Sequence, residues 1–130
     1  MKYKTKNYHI IFILCVLFLA SCTETKTMEV TATAYNSVES QTKKGDAVTA
    51  AWGDKLRPGM KAIAVSRDLL EVEGIEHGTD VTIKGLPGKY KVLDKMNKRW
   101  KKKIDIYMGE NVGRAKEWGR QKVEISWKVD

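Results

Sequence analysis

The sequence predicts a mainly β protein: a small closed barrel of about six strands with one or two short helices. Three observations lead there. Short runs of alternating apolar and polar residues recur along the chain, which is the period of a half-buried strand. They are separated by turn punctuation such as Pro58-Gly59 and "GLPG" (Gly85–Gly88) rather than by long helical patterns. And the chain left after an apolar leader has only 109 residues, enough for one small domain. Six strands in so short a chain must close on themselves or sandwich to hide their edges.

The leader comes first. Lys2, Lys4 and Lys6 form a positive head, and Ile10–Ala20 ("IIFILCVLFLA") is an unbroken apolar run. Eleven residues are too few to span a bilayer, which takes about 20, and they fit the apolar core of a secretory signal. Leu19-Ala20-Ser21-Cys22 follows and resembles the bacterial lipoprotein box. The resemblance implies a signal peptide over 1–21 and a lipidated Cys22, with membrane attachment through its acyl chains. Thr23, rather than Asp, follows the cysteine. By the same resemblance this directs the protein to the outer membrane of a Gram-negative bacterium. The plainer alternatives are an ordinary signal peptide or an N-terminal anchor helix.

With the three leader lysines removed, 21 basic residues face 16 acidic ones, a net charge of +5. Cys15 leaves with the leader and Cys22 is committed to lipid, so no disulfide is expected. His77 is the one remaining histidine, too few ligands for a zinc site. No metal and no cofactor are expected, and a monomer is. Nucleic acid is a poor partner for an exported protein despite the positive charge.

Residues 22–28 read as a polar tether and 29–130 as the domain. "EVTATAY" (Glu29–Tyr35) alternates as a strand. Asn36–Thr49 has no clean period and reads as a long loop, and Gly53–Lys61 as turns. "AIAV" (Ala62–Val65) is apolar throughout, as a buried strand would be. "SRDLL" (Ser66–Leu70) can start a helical turn with Ser66 as its cap. "HGTDVTIKG" (His77–Gly85) and "KYKVLD" (Lys89–Asp94) form a hairpin around the "GLPG" turn. Ile104 and Ile106 alternate with Asp105 and Tyr107, so the last two face away from the core. "ENVGRAKEWG" (Glu110–Gly119) is a short helix capped by Asn111 and stopped by Gly119, and "KVEISWKV" (Lys122–Val129) is the final strand.

Asp94 and Asp105 stand eleven residues apart and bracket "KMNKRWKKK" (Lys95–Lys103), which carries six cations. Either the acids are the working groups, or they cap strand ends by binding backbone N–H groups. The cations either meet an anionic polymer or membrane surface, or form a solvated loop. Trp52, Trp118 and Trp127 read as core or rim packing, and His77 as an exposed turn residue.

The ordered set "TATAY", "AIAVSRDLL", "HGTDVTI", Asp94, Ile104-Asp105-Ile106-Tyr107 and "AKEWGRQKVEI" resembles the three-aspartate (3D) domain. Its relatives are the catalytic barrel of membrane-bound lytic transglycosylase A, rare lipoprotein A and the expansins. The resemblance runs from Val30 to Trp127 and implies a six-stranded double-psi β barrel. Two departures stand out. The stretch between the aspartates is basic where the family has glycines, and Ser66 stands at the family's first aspartate, with Asp68 two residues on as a substitute.

The resemblance further implies peptidoglycan glycan strands as the partner. It points to lytic cleavage of the β-1,4 bond between N-acetylmuramic acid and N-acetylglucosamine, with formation of an anhydro product. One carboxyl can protonate the leaving oxygen and then accept the proton of the attacking hydroxyl, where ordinary glycosidases use two. In that scheme Asp105 is the acid/base, Asp94 its charge partner and Asp68 the third aspartate; Tyr107, Trp100 and Lys101 contact substrate. Lysines close to Asp105 would hold it ionised and oppose acid catalysis. A non-catalytic wall-binding or structural lipoprotein on the same barrel is therefore the alternative expectation.

Overall fold

The protein is described here by a computed structural model covering residues 23–38 and 48–130. The expected leader and Cys22 lie outside the described residues. Ten elements follow in order: β1 (Glu24–Tyr35), β2 (Val48–Thr49), β3 (Lys55–Leu56), β4 (Ala62–Val65), α1 (Arg67–Glu71), β5 (Asp80–Ile83), β6 (Lys89–Lys95), β7 (Lys103–Tyr107), α2 (Val112–Trp118) and β8 (Gln121–Val129).

Six strands close into a barrel in the order β1-β7-β4-β6-β5-β8, while β2 and β3 pair only with each other. Two neighbouring pairs are parallel, β1 with β7 and β4 with β6; the rest are antiparallel. Parallel neighbours cannot be joined by a hairpin, so the chain crosses the barrel between them. The result is the expected double-psi type of barrel with two short helices. Closure rests on β8, which pairs β1 from Glu24↔Val129 to Ala32↔Gln121 and β5 on its other edge.

Alternation fills the interior as the sequence anticipates. Val30, Ala32, Ile63, Val65, Val81, Ile83, Val92, Ile104, Ile106, Val123 and Ile125 point inward and are buried. A second apolar cluster lies outside the barrel wall, where Val48, Ala50 and Leu56 cover Ala62, Leu93 and Tyr107. The β2–β3 hairpin therefore roofs one patch of the wall. That is why all four residues of "AIAV" are buried, since β4 has protein on both faces.

Three local features differ from expectation. Residues 24–28 belong to β1 rather than to a tether, because Thr25 and Thr27 continue the outward alternation and the backbone pairs with β8 as far as Val129. The unpatterned region before β4 contains the β2–β3 hairpin. Ser66 sits at the N-cap of α1 but makes no side-chain cap bond; its hydroxyl instead accepts the Lys103 N–H at 3.0 Å. His77 is the exposed turn residue expected, and its ring also stacks on Trp52 with centroids 4.8 Å apart while its Nε2 meets Asp54 of the hairpin. The second helix is as anticipated, with Asn111 Oδ1 accepting the Arg114 N–H and Gly119 at φ 63° ending it.

Candidate functional site

A bulge in β6 builds the site. Along β6, Tyr90 and Val92 point into the core, and simple alternation would send Asp94 after them. Instead Ile63 pairs with Val92 and Ala64 with Asp94, leaving Leu93 as the extra residue. The bulge turns Asp94 to the outer face, a common use of bulges beside functional sites.

Ala64 also pairs with Asp105, and Asp105 with Thr33. Thr33, Asp105, Ala64 and Asp94 thus form one row across β1, β7, β4 and β6. The two aspartates are two strand spacings apart, about 10 Å between backbones, and only the methyl of Ala64 separates them. Both line a groove of about 340 Å³ together with Tyr35, Asn36, Lys95 and Trp100. The structure brings the expected pair of carboxylates and the expected tryptophan into one place.

The two acids are held differently. Asp94 Oδ1 accepts the backbone N–H groups of Ala51 and Lys95, each at 2.9 Å, so it ties the β2–β3 hairpin to the barrel. Asp105 Oδ1 accepts the Thr33 hydroxyl at 3.1 Å. Tyr35 completes the groove. Burial above all, then the charges of Asp94 and Asp105 and the Tyr107 ring, push its phenol well above the ordinary range, so it stays protonated. Its hydroxyl is buried and has no hydrogen-bond partner among the described residues, which leaves a donor beside two carboxylates.

Other expected site residues lie elsewhere. Tyr107 is only 3% exposed, bonds the Ser37 hydroxyl at 2.7 Å and packs on Tyr35, so it supports the groove from behind. Lys101 is exposed and does not line the groove. Asp68 stands in the first turn of α1, and its Oδ2 accepts the Lys102 N–H at 2.9 Å. Burial alone would raise the Asp68 carboxyl. The Ser66 hydroxyl, backbone N–H groups and the Lys101 charge outweigh it and hold the group below its usual range.

Asp68 thus anchors the basic loop, and it does so where Lys102 adopts a left-handed φ of 44°. Further ties are Arg67 Nε to the Met96 carbonyl and the Ser66 N–H to the Lys103 carbonyl. We expect Asp68→Ala to destabilise the protein by about 1–2 kcal/mol at neutral pH, measured by urea unfolding. A depressed folded pKa contributes stability that is fully present above the unfolded value, near pH 4. It is lost as pH falls through the folded one. The gap between wild type and variant should therefore close in acid.

The six cations do not act alike. Lys98, Arg99, Lys101 and Lys102 are exposed. Lys95 Nζ lies 5.5 Å from the centre of the Trp52 ring. Lys103 is 7% exposed, with Nζ 3.6 Å from the centre of the Trp100 ring. Sequence reading missed Thr33, Tyr35 and Lys103. The outward parity of "TATAY" marks the first two; nothing in the sequence marks which lysine of the run is buried.

A larger groove of about 510 Å³ opens at the far end of the barrel, between β5, β8 and the turn at Gly74. Its lining mixes Glu76, Asp80 and Asp130 with Lys89 and Lys128, and its tryptophan, Trp127, is buried, so it offers no open aromatic face. Among the described residues no three His, Cys, Asp or Glu side chains are placed to hold a metal ion, and no helix is long and apolar enough to cross a membrane.

No family model and no curated protein matches the chain. Among solved structures it resembles a mutant expansin from Clavibacter michiganensis in complex with cellohexaose. The TM-score is 0.48 at 16% identity, over 81% of this chain and 51% of the other. The chain thus spans about half the length of that protein.

Proposed function

We propose that this protein is an exported 3D-type barrel that binds the glycan strands of peptidoglycan, anchored by lipidated Cys22 in the outer membrane of a Gram-negative cell. One observation carries the reading: Asp94, Asp105 and Trp100 meet in one open groove. Carboxylates accept sugar hydroxyls in charge-assisted hydrogen bonds, and an indole face covers the apolar face of a pyranose. The exposed cations add attraction for the anionic wall polymer.

A second reading, lytic cleavage of the glycan by Asp105 as acid/base, draws on the same juxtaposition of carboxyl groups. Against it stands Lys103, a cation close to Asp105 on the same strand, where an acid catalyst needs surroundings that favour the neutral carboxyl.

Incubating the purified chain with peptidoglycan sacculi separates the readings. Retention on the sacculi that weakens as salt rises, with no soluble fragments, is expected. Release of anhydro-muropeptides would replace binding by cleavage. Absence of both retention and fragments would overturn the assignment.

A further inference from the structure

Lys103 is an anomaly within the basic loop. Outward alternation on β7 should leave it in solvent, yet Trp100 folds over it and it is 7% exposed. Its ammonium lies against the tryptophan face, with the Asp105 carboxylate close enough to favour its charged form. Burial lowers its pKa, Arg120 and Arg99 lower it further, and only Asp105 pulls the other way.

The register explains the crowding. Lys122, Thr31 and Lys103 stand in one row across β8, β1 and β7. Arg120 precedes the last β1–β8 pair, Ala32↔Gln121, and so lies level with Thr33 and Asp105. Arg99 lies 4.8 Å from the centre of the same Trp100 ring. Three cations thus converge from a loop, a strand and a strand end on the edge of the groove.

Holding an ammonium at a site only 7% exposed costs desolvation that a methionine filling the same space would not. A lysine kept there has its use when an anion arrives. We propose that Lys103, Arg99 and Arg120 form an oxyanion subsite for a carboxylate borne by the bound glycan, next to the sugar stacked on Trp100. The inference rests on the glycan-binding reading and narrows it to an acid-substituted polymer. Trp100 is the hinge between the two contacts: the ring that lines the groove is the ring that covers the ammonium. Arg99 can form paired hydrogen bonds with a carboxylate once Lys103 supplies the fixed charge.

Two oligosaccharides test this on the full chain in detergent: a neutral β-1,4-linked N-acetylglucosamine oligomer, and its counterpart carrying lactyl carboxylates on alternate rings. Titration by tryptophan fluorescence should show the carboxylated oligomer binding about tenfold more tightly. Lys103→Met should erase that preference, read as the ratio of the two affinities. Arg99→Gln and Arg120→Gln, at exposed positions that leave the core intact, should each reduce it in part. Equal wild-type affinity for both oligomers, or a preference that survives Lys103→Met, overturns the subsite and leaves glycan binding standing. Tighter binding of poly(glycerol phosphate) than of the carboxylated oligomer also overturns it. If neither oligosaccharide binds, the glycan reading itself falls.

Discussion

Asp105→Asn is expected to lower glycan affinity about ten- to a hundredfold while changing unfolding stability by no more than about 1 kcal/mol. Asp105 sits on the outer face of β7, its neighbours Ile104 and Ile106 carry the packing, and asparagine keeps an oxygen for the Thr33 hydroxyl. The change removes charge from the groove and keeps the shape of the side chain. Sacculus retention and urea unfolding, measured on the same preparation, check both halves. If cleavage is the true activity, the variant should instead stop release of anhydro products. A variant that binds and behaves like wild type would remove Asp105 from the site. Asp94 would make a poorer probe, because it also fastens the hairpin through the Ala51 N–H and shapes the bulge through the Lys95 N–H.

The largest loss of stability should come from Trp127→Ala, about 3–5 kcal/mol. Trp127 is 2% exposed and pairs with Val81 on one side and Lys26 on the other, so it stands on the strand that closes the barrel. Its Nε1 donates to the Glu73 carbonyl at 3.2 Å, which pins the turn after α1. Alanine leaves a cavity at that seam and orphans the carbonyl. Small domains have about 5–15 kcal/mol in all, so the variant should unfold at a much lower urea midpoint. A shift below about 1 kcal/mol would mean the barrel end repacks freely.

Most of the barrel is legible in the sequence because alternation and burial agree there: "EVTATAY", "AIAV" and "KVEISWKV" each show the side they bury. The hairpin escapes because its strands are two residues long, too short for any period, and its apolar residues Val48, Ala50 and Leu56 pack outside the barrel. The start of β1 escapes because threonine and lysine serve a tether and an outward strand face equally well. At the site, the spacing of Asp94 and Asp105 is visible, but their meeting depends on a bulge at Leu93 that no local pattern announces. The basic run illustrates the same limit: composition gives six cations, and only the fold-back of Trp100 decides that Lys103 differs from Lys101.

The early start of β1 bears on the proposed lipid anchor. If Cys22 carries the lipid, Thr23 alone separates the acyl anchor from a strand already paired with β8 at Glu24. Such a mooring has almost no slack. Thr33 marks the level of the groove on the same strand, nine residues further on. Nine residues of strand then keep the groove within about 30 Å of the anchor. The domain would not sweep the periplasm in search of polymer. It would wait at fixed height, and glycan would be held only where the wall itself comes within that short distance of the membrane.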